Sequence, residues 1–322
     1  MIIKGALKGP SLSVENAISI VGWGNQAKAW GANLRDSGFQ VNVLLRNDSP
    51  SKLAAEKVAT VVPFEGNLPN APIALLIPDH EIAAAVAQLA PRLPAGAVFL
   101  YAHGYALMDA SLDEKFPQHH HVLLAPKAIG SEVRATFLEK RALGGVYSVE
   151  RVADAHRRRI EGLTLTVARS LGITMGPYPC TVRQETIADL FSEQAVLCSV
   201  IPEICRVAFD MLRTKGIPPE LAFFELWHEV GLIVKVMVDR GPEAFFHLIS
   251  PNALIGADKG QKLLVNEHLK AGMAKLLADI ESGQFQKEVL TSDVKKIREE
   301  TVNRWKNSEL AATIERVHKG AP

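Results

Sequence analysis

Residues 17–38 read AISIVGWGNQAKAWGANLRDSG. An aliphatic run leads into Gly22-Trp23-Gly24, and a helical stretch follows from about Asn25. Strand, tight glycine turn, then helix is the context that a GxGxxG/A phosphate-binding fingerprint requires. Gly22 permits the sharp turn, and Gly24 lets the backbone approach a pyrophosphate seated at the positive end of the helix. The third position is Ala27, which the pattern accepts because it governs the packing of helix on strand. A lone GxGxxA is weak, so its surroundings carry the argument.

The first half of the chain alternates short aliphatic or β-branched runs with helical stretches: AISIV (17–21), VNVLL (41–45), IALLI (73–77), AVFLY (97–101), HVLLAP (121–126) and GVYSV (145–149). This alternation predicts a parallel sheet covered by helices. After about residue 183 the pattern becomes long 3.6-periodic stretches, roughly 184–213, 219–239, 242–249 and 262–281, with breaks such as KGIPPE (215–220) and no strand run. The expected organisation is a Rossmann-type α/β domain over 1–183 followed by an all-α domain over 184–322. KKIREE (295–300) reads as a solvated helix face.

With 36 Lys+Arg against 35 Asp+Glu the formal net charge is +1, and the basic residues form no stripe interleaved with aromatics, so no nucleic-acid partner is expected. No apolar run reaches the roughly 18 residues that span a bilayer, and the N-terminal MIIKGALKGPSLSVEN lacks a signal-peptide core, so no membrane association and a cytoplasmic location are expected. Cys180, Cys198 and Cys205 lack CxxC spacing and point to neither a disulfide framework nor a zinc site. Cys198 and Cys205 are expected to pack in a helix interface.

The segment after the second strand bears on the choice of dinucleotide. NAD sites place an acid there for the ribose hydroxyls, whereas this chain reads Leu45-Arg46-Asn47-Asp48-Ser49-Pro50-Ser51. Arg46 with Ser49 and Ser51 offers a guanidinium and two hydroxyls to a 2′-phosphate, which favours NADPH, with Asp48 dissenting. A turn with a serine N-cap before KLAAEK also accounts for Ser49 or Ser51, though not for Arg46.

Downstream stand two carboxylate pairs at helical spacing, Asp189/Glu193 in ADLFSEQ and Glu225/Glu229 in FFELWHEVG, and Glu185 extends the first backwards by four residues. Residues at i and i+4 share a helix face with Cβ atoms about 5–6 Å apart, and like charges there cost a few tenths of a kcal/mol. Neither pair has a Lys or Arg three or four residues away, and the neighbours are mostly apolar. Solvated helix surface is one reading. A shared hard cation such as Mg²⁺, which takes carboxylate oxygens in roughly octahedral geometry, is the other.

The histidines divide in the same way. His103 follows AVFLYA, at the carboxyl end of a strand where α/β folds bind ligands, and reads equally as a structural or a ligand-facing residue. His119-His120-His121 precede HVLLAP, and consecutive strand residues alternate faces, so loop or strand-end positions are expected rather than a metal cluster. His228-Glu229 suggests HExxH, but Leu232 occupies the second histidine position.

With these motifs in place, the chain resembles the ketol-acid reductoisomerases, or acetohydroxyacid isomeroreductases, over nearly its full length. ETIADLFSEQAVLC (185–198) is the strongest match. LAFFELWHEVGLIV (221–234), VGWGNQ…NLRDSG (21–38), LLIPD (75–79), AHGY (102–105) and APK (125–127) stand in the order and spacing of the family's short form, whose helical domain is not duplicated. The resemblance implies two Mg²⁺ ions per site, held by Asp189 and Glu193 together with Glu225 and Glu229. The second pair would come from the partner subunit of a knotted, dimer-forming helical domain. It also implies that Ser250 in LISPN holds the substrate carboxylate, and that His103 and Lys127 stand in the active site with Glu193 adding a proton-transfer role. Trp23, Gly24, Asn25, Gln26, Arg46, Ser49, Ser51, Asp79 and Gly130 fall where the family contacts NADPH.

The implied reaction converts a small-molecule 2-hydroxy-3-oxo acid such as 2-acetolactate by alkyl migration and hydride reduction to a 2,3-dihydroxy acid, toward valine, leucine and isoleucine. The chain departs from the family at Ala128-Ile129-Gly130, where glycine-proline-glycine is usual, and at the Ser131-Glu132 that follow. It departs again at Leu254-Ile255-Gly256, where Glu-Tyr-Gly is usual, and at Lys28, which replaces a histidine. A related Mg²⁺/NADPH reductase acting on another 2-oxo or acyloin-type acid is the alternative. A non-catalytic cofactor-binding dimer is a third reading, which the four acids argue against.

Overall fold

The computed structural model describes residues 16–320, so MIIKGALKGPSLSVEN lies outside them apart from Asn16. The chain divides into two compact units after Thr186. In the first unit β1 (Ala17–Val21), α1 (Asn25–Asp36), β2 (Gln40–Leu45), α2 (Lys52–Glu56), β3 (Thr60–Pro63), β4 (Ile73–Leu75), α3 (Asp79–Leu89), β5 (Val98–Tyr101), α4 (Tyr105–Ala110), α5 (Leu112–Lys115), β6 (His120–Pro126), α6 (Gly130–Leu138), β7 (Leu143–Ser148), α7 (Asp154–Leu171) and β8 (Ile173–Pro179) follow one another.

The strands form one sheet in the order β3-β2-β1-β4-β5-β6-β7-β8. Pairing is parallel from β3 across to β6, as the alternation predicts. The last two strands differ, since β7 runs antiparallel to β6 and β8 parallel to β7. β3 and β8 were not legible as strands. β3 is a four-residue edge strand only partly buried, and β8 carries a glycine and two prolines on the opposite edge. Short and proline-bearing edges protect a sheet from further pairing, and they erase the aliphatic signature that marks inner strands.

The inner strands are buried on both faces, and side-chain alternation sends them to two cores. Ile18, Ile20, Val43 and Leu100 pack on the side of α1, α6 and α7, and Val21, Leu75, Phe99 and Leu123 on the side of α3 and α4. Trp30 of α1 is the largest fully buried side chain. Truncation of such a residue costs about 3–5 kcal/mol. Buried Asn33 of α1 donates from Nδ2 to the carbonyls of Val133 (3.1 Å) and Leu171 (3.0 Å) and accepts from Arg134 Nη1 (2.8 Å). It thereby ties α1 to α6 and to the end of α7.

In the second unit α8 (Val182–Ser192), which begins in the first, passes through a π-helical turn at Glu193–Leu197 to α9 (Val200–Thr214). α10 (Pro219–Phe223) passes through a second π-helical turn, Phe224–His228, into α11 (Glu229–Leu248), which kinks at Gly241 (φ +83°) before Pro242. α12 (Pro251–Leu264), α13 (Glu267–Glu281), α14 (Gln284–Thr291), α15 (Val294–Lys306) and α16 (Glu309–His318) complete it. α12 covers residues that the periodicity left unassigned. Ser250 caps it and Pro251 opens it, as helix starts favour, but Gly256 and Gly260 blur its apolar stripe. KKIREE lies on α15 and is exposed throughout. The enclosed core of this unit is small, around Phe209, Ala222, Phe223 and Leu310. No helix among the described residues is long and apolar enough to cross a membrane.

Candidate active site

The strand order reverses between β1 and β4, and α/β sheets bind ligands outside the carboxyl ends of the strands at such a switch point. A cavity of about 510 Å³ opens there, bordered by Gly22, Arg46, Ser49, Phe64, Ile77 and His80 among others. Gly22 has φ +91°, and a Cβ on it would lie 2.5 Å from Ile77 Cγ2, so the β1–α1 turn passes too close to the end of β4 for any side chain. Gly24 has open space around it. It occupies the N-cap of α1, which has no side-chain cap and no acid in its first turn. The unsatisfied amides there suit a pyrophosphate.

The other cofactor candidates take distinct places. The Trp23 indole is buried against Gly31, where a Cβ would approach the ring to 2.9 Å, so only its backbone belongs to the turn. Asn25 is exposed, and Gln26 donates from Nε2 to the Ala128 carbonyl (2.8 Å). Gly130 opens α6 directly on α1: a Cβ would sit 2.3 Å from the Asn25 carbonyl oxygen. Its glycine is therefore required by packing whatever binds beside it. Arg46 and Ser49 border the cavity, and Ser51, at the N-cap of α2, makes no side-chain capping bond.

Beyond the turn, four polar side chains of the first unit converge. Glu185 is buried on α8, its Oε1 2.6 Å from Lys127 Nζ and its Oε2 accepting the Gly104 N–H at 2.8 Å. His103 Nε2 lies 3.9 Å from Glu185 Oε2, and His103 Nδ1 lies 4.0 Å from Asp79 Oδ2. A Cβ on Gly104 would meet Thr186 Oγ1 at 2.4 Å, so glycine lets the β5–α4 turn close on α8. Burial, then the charge of Glu185, pushes the Cys180 thiol up, which keeps it protonated and unreactive near neutral pH.

Glu185 is the residue that sequence reasoning undervalued. It appeared as a backward extension of an acidic pair without nearby bases, and it is in fact neutralised by Lys127, 58 positions earlier. The acidic repeat was the available signal, and the ion pair was not foreseeable from helical spacing.

Asp189 stands one turn after Glu185 on α8 and is half-buried, whereas Glu193, Glu225 and Glu229 are exposed. Glu193 opens one π-helical turn, and Glu225 lies in the other with Glu229 just after it. Such turns re-aim side chains out of α-helical register and recur at functional sites. Among the described residues these four acids do not converge on one point within a single chain. As a donor set they are hard carboxylate oxygens, which fit Mg²⁺. Ser250 is exposed and its Oγ accepts the Ala253 N–H at 3.2 Å, so it caps α12.

One expectation needs correction. Cys198 is exposed at the end of the first π-helical turn, and of the two only Cys205 is buried. The three consecutive histidines take the strand-end positions expected of them, His119 just before β6 and His120 and His121 opening it, and all three are buried. His121 Nδ1 lies 2.8 Å from the Tyr101 hydroxyl, and its ring stacks on Phe99 at 5.6 Å. Burial pulls its pKa down to about 4.

The "Acetohydroxy acid isomeroreductase, NADPH-binding domain" family matches residues 13–176, and the "Ketol-acid reductoisomerase, C-terminal domain" family matches residues 182–320. Two similar proteins named "Ketol-acid reductoisomerase (NADP(+))" come from Methanothermobacter thermautotrophicus and Methanocaldococcus jannaschii. They are 35% and 33% identical over 280 residues, 85% of this chain and 84% and 83% of theirs. A solved structure of an NADH-preferring ketol-acid reductoisomerase from an uncultured archean superposes with a TM-score of 0.81 at 27% identity, covering 94% of each chain. With both halves matched in order and relatives a third identical over most of their length, this chain belongs to the ketol-acid reductoisomerases, a family of enzymes.

Proposed function

We propose that this chain catalyses the Mg²⁺-dependent isomeroreduction of 2-acetolactate and 2-aceto-2-hydroxybutanoate with NADPH, giving 2,3-dihydroxy-3-methyl acids for branched-chain amino-acid synthesis. In this reading residues 1–183 bind the cofactor and residues 184–322 supply the metal and substrate groups of a cytoplasmic homodimer. The observation that carries it is buried Glu185, clasped by Lys127 and the Gly104 amide beside His103, on the helix that also bears Asp189 and Glu193.

Each group has a task its surroundings allow. Lys127 and the Gly104 amide hold the two oxygens of the buried Glu185 carboxylate in place. A carboxylate so held can accept a proton from the substrate hydroxyl as the alkyl group migrates, with His103 passing protons at its edge. Asp189 and Glu193, with Glu225 and Glu229 of a second subunit, would hold two Mg²⁺ ions, which when bound polarise the substrate carbonyl. Gly24 and the open amides of α1 would seat the pyrophosphate of NADPH, the hydride source, while Arg46 and Ser49 meet its 2′-phosphate. The name NADP(+) that both relatives carry supports that cofactor.

The dimer is supported by the exposed apolar surface of the second unit, where Met211, Val238, Leu248 and Ile255 face outward. Surfaces of this kind mark association.

The test is NADPH oxidation with Mg²⁺ and 2-acetolactate against the same assay with 2-oxo acids alone. Turnover of both is expected, and Glu185→Gln should lower kcat by about a hundredfold, the scale of one proton-transfer group. Reduction of 2-oxo acids without turnover of acetolactate would leave instead a related reductase of another 2-oxo or acyloin-type acid. The exposed Ile129 beside Lys127 is the observation that favours this second reading.

A further inference from the structure

We propose that Glu65 discriminates between cofactors, and that it lets this chain use NADH as well as NADPH. The inference rests on the reading of the β1–β4 crevice as a nicotinamide-dinucleotide site and concerns which adenosine ribose that site accepts.

β2 and β3 pair in parallel with Leu45 beside Pro63, and the Phe64 N–H donates to the Leu45 carbonyl at 2.8 Å. Arg46 is therefore one residue beyond the pairing on one strand end, and Glu65 two residues beyond it on the next. Both residues line the same cavity, together with Ser49. The turn that carries Glu65 is held on every side. Phe64 packs into the core shared with α3, and the Gly66 N–H donates to the Pro63 carbonyl at 2.8 Å. Arg92, just past the end of α3, donates from Nη1 to the Phe64 carbonyl at 2.8 Å and from Nη2 to the Gly66 carbonyl. Those two carbonyls flank Glu65, so its backbone has a fixed place at the rim.

The chemistry at that rim is mixed. The adenosine ribose of NADH offers two hydroxyl donors, and that of NADPH replaces one with a phosphate dianion. A carboxylate accepts from the hydroxyls and repels the phosphate, and a guanidinium does the reverse. Arg46 alone selects NADPH. Glu65 on the neighbouring strand end opposes it, and Glu81 borders the same cavity with a second carboxylate. A crevice with one guanidinium and two carboxylates has no basis for rejecting NADH.

The experiment measures kcat/KM for NADPH and NADH with 2-acetolactate and Mg²⁺, and the two dissociation constants by nicotinamide fluorescence. It compares the full chain with Glu65→Gln, Arg46→Gln and Arg92→Gln. The unmodified enzyme should turn over both cofactors. Glu65→Gln should raise the NADPH to NADH ratio by about fivefold, the effect of removing one like charge near a surface site, and should do so through KM with kcat unchanged. Arg46→Gln should move the ratio the other way, and Arg92→Gln should move it as Glu65→Gln does but less. An unchanged ratio in Glu65→Gln, or failure of the unmodified chain to use NADH, would overturn the proposal. Absence of acetolactate turnover would instead refute the reaction, and the ratio of dissociation constants would still decide the role of Glu65.

Discussion

In the first unit the inner strands carry Ile20, Leu75, Leu100 and Val122 into cores enclosed by helices of the same chain. In the second unit Leu232, Val238 and Leu248 are 55%, 74% and 60% exposed, and the enclosed core is a handful of residues. Both units draw on similar apolar residue types, so composition does not separate them. A sheet covered on both faces satisfies its own apolar surface, while this set of helices leaves much of its own outside. The difference predicts that the first unit depends on its own packing and the second on a partner, which places half of the proposed metal ligands under the control of association.

The largest test of that contrast mixes subunits. Glu193→Gln and Glu229→Gln should each lower kcat/KM with 2-acetolactate by about a thousandfold, since each removes a ligand of ions worth several kcal/mol to the reaction. If the two pairs meet across a dimer, an equal co-expression of the two variants should recover about a quarter of full activity, because half the dimers are mixed and each holds one intact site. No recovery would mean that each chain uses its own four acids.

A smaller effect is expected from charge on the exposed helical surface. Leu232→Glu combined with Val238→Glu should dissociate the protein, seen by light scattering, and lower Tm by about 10 °C as partner binding ceases to stabilise the fold. Leu53→Glu, on an exposed site of the first unit, should do neither. Equal behaviour of the two surfaces would erase the comparison.

The smallest effect belongs to the first unit alone. His121 is buried with its pKa lowered to about 4, with His119, His120 and Asp113 as the neighbouring titratable groups. A histidine with a folded-state value below its unfolded one stabilises fully above about pH 6.5, and that contribution is lost as pH falls toward 4. The loss is about 1.4 kcal/mol per pH unit over that window. Denaturant midpoints between pH 7 and 5 should show this slope, flattened in His121→Gln. An unaltered slope in the variant would assign the acid sensitivity elsewhere.

Much of the architecture was legible in the residues because it follows from local rules. The glycine turn at Gly22, the inner strands and the helical spacing of the acids depend on neighbours within a few positions. β3 and β8 were missed because edge strands need not be apolar, and α12 because Gly256 and Gly260 interrupt its stripe. Among the candidate residues, His103 and Lys127 were assigned through resemblance, and the structure supplies their common partner in Glu185. The reason for Gly130 also came only from the structure, in the carbonyl of Asn25 against which it packs.

By itself the sequence determined where the turn, the strands and the paired acids fall, since backbone sterics and the 3.6-residue and 2-residue periods act within a single element. Only the tertiary structure decided what those acids meet. Glu185 acquires its charge partner from 58 residues away and its amide donor from 81 residues away. No local rule spans such separations: they are closed where residues 182–186, at the start of α8, meet the segments that follow β5 and β6, and the electrostatics of the site follow from that meeting.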